Sequence, residues 1–419
     1  MANKERTNAS EESDEAFGSN AVRLSMRDWV VTTSIVLSVM VFTPVVWKYL
    51  EPFDPPTDFR VPYGLSDDYW TYQRHVDRTV KDERILLIGD SVVWGEYVDP
   101  QHTLSHCLNE LRGETRFANG GLNGTHPLAL QGLARHYATE LRDTRVILHC
   151  NLLWMSSAER DLQTEKEMAF NHPRLVPQFV PRIACYKAPA AERMGIVIDQ
   201  HLSLRTWVNH LRVADFDGLD MHSWTLENPY ANLFERISLQ STQPKDEPHS
   251  LPIVWTERGI QPQDIPWIDL DTSLQWQAFR KTARLLRDRG NSVFVIIGPF
   301  NEHMLTAESR ERYGTMSRQV ESWLDDEAIP CFAAAPLPSD EYADASHPLS
   351  AGYARLAERV SLHSEFQRWL GGRPHSVVDQ RGSIVWNASP VERNRIPTKR
   401  EVGLAACELV PLFKSRHSL

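Results

Sequence analysis

The segment Ile85-Leu86-Leu87-Ile88-Gly89-Asp90-Ser91-Val92-Val93-Trp94-Gly95 decides the fold. Four consecutive aliphatic residues read as a strand buried on both faces, because strands covered by helices on either side lose their polar alternation. The strand stops at Gly89, and a serine lies just past its carboxyl end. In open α/β sheets ligands bind in the crevice outside the strand ends. Gly89 and Gly95 permit tight turns on either side of Ser91. Residues 103–111 have the pattern of the helix that follows.

Working outward, the same alternation of short apolar runs and helical spacing recurs. Residues 116–125 combine a short strand with a glycine-dense loop. Residues 127–140 carry Leu128, Leu130, Leu133 and Tyr137 at helical spacing, and 146–153 form a third strand. Farther on, a helix over 274–289 precedes a strand over 292–297 that ends at Gly298-Pro299-Phe300-Asn301. Another helix and a short strand near 329–332 lead to Asp344-Ala345-Ser346-His347-Pro348, and 350–360 is again helical. This alternation predicts an α/β fold with a parallel, doubly wound sheet. Residues 156–271 interrupt it with many prolines, several Trp and Phe, and one amphipathic stretch over 194–213. They read as a long insertion, either a cap over the site or a surface facing a partner.

The chain has 419 residues, enough for one large domain or two ordinary ones, and a formal net charge of -10. No long basic run is present, so nucleic acid is not an expected partner. Five scattered cysteines without a C-x-x-C pair argue against a zinc site or a disulfide framework. Residues 1–28 are polar and read as a disordered leader. An uncharged stretch over 29–47, bounded by Trp29 and Trp47, follows. About 19 residues at 1.5 Å rise make roughly 28 Å, close to the hydrocarbon thickness of a bilayer, with tryptophans suited to both interfaces. Residues 29–50 are therefore expected to be a single transmembrane helix. Lys4, Arg6, Arg23 and Arg27 before the span, against Lys48 and Arg60 after it, favour a cytoplasmic N-terminus. Residues 51–80 read as a linker that opens with a proline-rich spacer, 81–370 as the globular domain, and 371–419 as an irregular tail.

A serine hydroxyl needs a neighbouring base, a group that orients the base, and donors for the oxyanion. The tetrapeptide D-x-x-H occurs three times, as Asp99/His102, Asp246/His249 and Asp344/His347. The first lies only a few residues beyond Ser91 and moves away from the strand ends. The second falls in the insertion, in a run that reads as solvated loop. The third follows the last predicted strand, at the edge where a loop reaches Ser91.

Gly89-Asp90-Ser91-x-x-x-Gly95, then Asn119-x-x-x-x-Gly124, then Asp344-x-x-His347-Pro348, resembles the SGNH (GDSL-type) hydrolase superfamily over residues 81–370. The resemblance implies a three-layer α/β/α flavodoxin-like sheet and an ester-cleaving triad. Ser91 would be the nucleophile, His347 the base and Asp344 its partner. The N–H groups of Ser91 and Gly124 would line the oxyanion hole. The family's Gly-x-Asn-Asp block is not intact, and His149-Cys150-Asn151 stands at the matching strand end. Asn151 is the one amide there and is assigned the third donor role.

Trp94, His126 and Asn301 are placed as substrate contacts. The plainer readings are packing for Trp94 and an exposed loop position for His126. Glu96 reads as the start of a turn. The expected function is a membrane-anchored extracytoplasmic serine esterase or O-acyltransferase. It would act on an ester such as an acylated glycan, with no metal or cofactor. Layout resembles bacterial envelope members that assist membrane-bound O-acyltransferases, so such an enzyme is a candidate partner. A non-catalytic anchored module that kept this fold is the alternative.

Overall fold

In the computed structural model, residues 25–240, 242–243 and 247–372 are described. The leader before Ser25, the tail after Gly372 and Asp246 of the second D-x-x-H pair lie outside them. The chain opens with α1 (Met26–Leu50) and α2 (Tyr69–Lys81). Next come β1 (Ile85–Gly89), α3 (Ser91–Trp94), α4 (Leu104–Arg112), β2 (Phe117–Gly121), α5 (Pro127–His136) and β3 (Arg145–Cys150). The insertion then supplies α6 (Ala190–His201), α7 (Ser203–Ala214), α8 (Met221–Glu227) and α9 (Leu233–Arg236). Regular alternation resumes with α10 (Leu274–Asp288), β4 (Ser292–Ile297), α11 (Ala307–Asp326), β5 (Cys331–Ala333), α12 (Ser350–Leu362) and α13 (Ser364–Gly371).

The five strands form one parallel sheet in the order β2-β1-β3-β4-β5. Successive strand side chains point to opposite faces, and here both faces are apolar. Leu86, Ile88, Val146, Leu148, Val293 and Val295 face a core shared with α2, α5, α10 and α11. Ile85, Leu87, Ile147, Phe294 and Ile296 face a second core built from α3, α4, α12 and α13. That double burial is the reason the strands read as unbroken aliphatic runs. The chain leaves β1 toward β2, then returns past β1 to β3, which puts the reversal of strand order between β1 and β3. Ligand crevices of open α/β sheets form at such a reversal.

Gly95 closes α3 with φ of +90°, a conformation costly for any residue with a Cβ. β2 is tied to this turn by Asn119 within it, whose Nδ2 donates to Val93 O at 2.8 Å. Tyr353 of α12 donates to Val92 O at 2.6 Å from the opposite core. The first turn after Ser91 is thus held from both sides.

Three expectations need correction. Residues 51–80 are not a linker: α2 buries Tyr69, Tyr72 and Val76 in the main core, an amphipathic face that polar neighbours obscure in the sequence. The amphipathic stretch over 194–213 is two helices, α6 and α7, separated at Leu202. Nor is the start of the expected proline-rich spacer free of the domain. Glu51, at the end of α1, is 2% exposed, and it accepts from Trp47 Nε1 at 2.9 Å. Arg74 Nη1 lies 3.0 Å from Glu51 Oε2 and His210 Nε2 lies 3.2 Å from the same oxygen. His210 Nδ1 reaches Asp68 Oδ2 at 2.7 Å. α1 is long and apolar enough to cross a membrane and is almost wholly exposed along that length.

Burial alone would lower the His210 imidazole, yet Asp68 and Glu51 raise it to about 10. A raised folded-state value stabilises fully below the unfolded value of 6.5 and is lost as pH climbs through about 10. Unfolding of the detergent-solubilised chain is expected to show stability falling across that window. His210→Ala removes the dependence and, by leaving Asp68 and Glu51 short of a partner, costs about 3–5 kcal/mol near neutral pH.

Candidate active site

Ser91 begins α3 directly beyond β1, and Asp90 precedes it as the helix cap, accepting from Val92 N at 3.0 Å. The third D-x-x-H pair lies between β5 and α12. Tyr342 pairs with Pro348 across this loop, and the Ala343 N–H donates to His347 O at 2.9 Å. The result places His347 Nε2 2.8 Å from Ser91 Oγ across 256 positions of chain. His347 Nδ1 lies 2.8 and 2.9 Å from the two Asp344 oxygens. Asp344 Oδ1 also accepts from the Ser346 and His347 N–H groups, each at 3.0 Å.

These contacts set the charge states. Burial works against ionised Asp344, but His347 and the two backbone donors hold its carboxyl well below the usual carboxylate range. Burial also works against protonated His347, and Asp344, Asp90 and Glu96 together raise it above 6.5. The other D-x-x-H pairs take no part. Asp99 and His102 contact each other locally at 2.8 Å, and His249 stacks on Tyr63 with centroids 3.5 Å apart.

Beneath the serine lies a second polar group that the sequence did not flag. Asp90 Oδ2 accepts from Asn151 Nδ2 at 2.7 Å and from Trp154 Nε1 at 2.9 Å. His149 Nδ1 lies 3.2 Å from Asp90 Oδ1, while His149 Nε2 faces Gly298 O at 2.8 Å. Burial opposes the charge on Asp90, but His149, Trp154 and His347 bring its pKa down to about 2. Asn151 thus uses one of its two amide protons on Asp90, and its Oδ1 accepts from Leu153 N at 3.0 Å. The second amide proton has no acceptor among the described residues. The same holds for the N–H groups of Ser91 and Gly124. Gly124 adopts φ of +70°, and a Cβ there would strike the Asn171 side chain.

The three expected substrate contacts fare differently. Trp94 is 2% exposed, donates to Val61 O at 2.7 Å, and carries the Arg60 guanidinium 4.2 Å above its ring. With Arg60, Tyr63, Asn123 and His249 it lines a cavity of about 1190 Å³. Ser91 is not part of that lining, but Asn123 adjoins Gly124. His126 is not on an exposed loop. It caps α5 with 2% exposure, faces Gln275 Oε1 at 3.3 Å and Asn171 O at 3.2 Å, and burial lowers its pKa to about 4. Asn301 is wholly buried and donates to Asp344 O at 3.1 Å. It shapes the Asp344 loop rather than a substrate wall.

The sequence reading missed Tyr97, Arg258 and the work of Glu96. Tyr97 donates to Asp344 Oδ2 at 3.2 Å, and its ring meets the His347 ring edge-on at 5.4 Å. Arg258, from the insertion, donates to the Tyr97 hydroxyl at 3.2 Å. Glu96 accepts from the Asn123 amide and from Ser250 Oγ, the latter at 2.6 Å. It fastens the insertion to the Gly124 loop. No spacing rule singles out a tyrosine or glutamate in a turn, so only a carboxylate close to Ser91 in sequence offered any signal.

No protein-family model matches the chain, and no curated protein matches it.

The electrostatics give a direct check. In NMR titrations the His347 imidazole is expected to have its midpoint above 6.5. Asp344→Asn removes the main raising charge, so the midpoint moves down. Trp154→Phe leaves one less donor on Asp90 and is expected to cost about 1–2 kcal/mol in thermal or urea unfolding.

Proposed function

We propose that this chain is a membrane-anchored serine esterase or O-acyltransferase of the SGNH type. The observation that carries the reading is the continuous Ser91–His347–Asp344 chain of contacts at 2.8 Å and 2.8 Å. Its setting supports it: the strand order 2-1-3-4-5 is that of flavodoxin-like sheets, and the N–H groups of Ser91 and Gly124 have no backbone acceptor among the described residues. Asn119 and Gly124, at the positions the resemblance expects, agree with the same reading.

Ser91 Oγ attacks the carbonyl carbon of an ester while its proton passes to His347 Nε2. Asp344 fixes the ring and stabilises the imidazolium that forms. The carbonyl oxygen becomes an oxyanion, received by the N–H groups of Ser91 and Gly124 and by the second Asn151 proton. The ester C–O bond breaks as His347 returns the proton to the departing alcohol, leaving the acyl group on Ser91. Water or a sugar hydroxyl then attacks that acyl group by the same route in reverse. Hydrolysis and transfer differ only in the second nucleophile. With α1 as a single span and a cytoplasmic N-terminus, the domain would work outside the cytoplasm on an envelope ester such as an acylated glycan.

The full chain in detergent is expected to hydrolyse aryl acetates and to be labelled by a fluorophosphonate at Ser91. Ser91→Ala should lower kcat by about 10⁴-fold or more. A rate indifferent to that change would leave a binding module. Asn151→Ala is expected to lower kcat by about 10²-fold with little change in KM, the signature of a donor used in the transition state. Because only neutral imidazole accepts the serine proton, activity should rise through an acid limb centred above 6.5. Acyl donor and glycan acceptor supplied together distinguish the outcomes: acylated glycan marks transfer, free acid marks hydrolysis.

A further inference from the structure

We infer that α7–α9 form a platform seated in the headgroup layer of the bilayer around the end of α1, with Leu226, Tyr230 and Phe234 in contact with lipid. The inference rests on the reading of α1 as a membrane span, and it adds which face of the domain meets the lipid.

α1 packs against α7 at its carboxyl end. Trp47 meets Trp207 edge-on with centroids 5.3 Å apart, and Pro44, one turn earlier, is buried. Trp47 ends the uncharged stretch, so it marks the level where hydrocarbon gives way to headgroups. Protein packed against Trp47 and Pro44 therefore lies at that level. The packing is rigid, because Glu51 is locked by Arg74, His210 and Trp47 itself.

The cluster that receives Trp47 comprises Leu211, Phe216 and Trp224, with Leu233 and Ile237 against it. The same short elements also expose large apolar side chains. Leu226, two residues after Trp224, is 69% exposed, Tyr230 is 100% and Phe234 is 82%. Single exposed apolar residues are ordinary, but a concentration of them marks a contact surface. Continuity with the span selects the occupant. Residues 203–239 hold three arginines against five acidic residues, so attraction to anionic lipid is not the driving force. Apolar insertion into zwitterionic lipid is, and tyrosine suits that boundary.

The test uses the full chain carrying Cys407→Ser, since the four described cysteines are buried. Single cysteines are introduced by Phe234→Cys, by Val36→Cys within α1, and by Leu362→Cys, a 69% exposed site on α12. Each is labelled with an environment-sensitive fluorophore and reconstituted in phosphatidylcholine nanodiscs with or without nitroxide-bearing lipid. Quenching at Phe234 and Val36 is expected to exceed that at Leu362 by about threefold or more. Quenching at Val36 with Phe234 no different from Leu362 overturns the platform while the span stands. Absence of quenching at Val36 removes the span and the platform with it. An apolar emission at Phe234 that ignores the nitroxide lipid overturns the platform in favour of a protein occupant. Its dependence on copies per disc then identifies a second copy of this chain.

Discussion

The Asp90 carboxylate is the point on which the candidate site depends. It is buried at the end of β1, where an unpaired charge would be expensive. It is satisfied by one helix cap, by Asn151 and Trp154 beyond β3, and by the nearby His149 ring. Those partners come from the two strands that flank the reversal of strand order. One buried acid therefore fixes the spacing between the loop that starts with Ser91 and the loop that carries Asn151. A site at a sheet edge needs such a tie, because strand pairing ends where the loops begin.

Around that tie the insertion acts as part of the wall. Arg258 reaches Tyr97, Tyr97 reaches Asp344, and Glu96 joins Ser250 to Asn123. Two residues of the turn after Ser91 thus hold the insertion on one side and the site on the other. Asn301 holds the Asp344 loop from beneath. The groups that hold Asp344 and His347 come from the turn after α3, the segment after β4 and the insertion. A change in any of them shifts the contacts of Asp344 without altering Ser91 or His347 themselves.

The end of α1 follows the same principle of buried charge resolved by several elements. Glu51 ends α1, Arg74 and Asp68 come from α2 and its cap, and His210 from α7. An ion cluster of this kind adds little net stability compared with apolar packing, but it specifies one arrangement and penalises departures from it. The setting of the domain relative to α1 is then fixed by the fold and not by a tether.

Local pattern carried most of the sheet. Strands covered on both faces must be aliphatic throughout, so 85–88, 146–148 and 292–297 announce themselves, and the glycines around Ser91 mark the turn. The N-terminal apolar helix is equally legible, since length and lack of charge are properties of a single segment. The serine and the Asp344/His347 pair could be nominated because each sits just beyond a strand. What no linear pattern held was pairing across distance: that Asn151 leans on Asp90, that His126 and Asn301 are buried, or that Tyr97 and Arg258 stand behind Asp344. α2 was lost to a linker reading for the same reason, its apolar face having meaning only against the sheet. The sequence by itself determined the strands, the apolar N-terminal helix and the polar residues that stand just past the strand ends, because those follow from short-range pattern. Only the tertiary structure decided which of those residues meet, because hydrogen bonds and buried charges are satisfied between elements far apart in the chain.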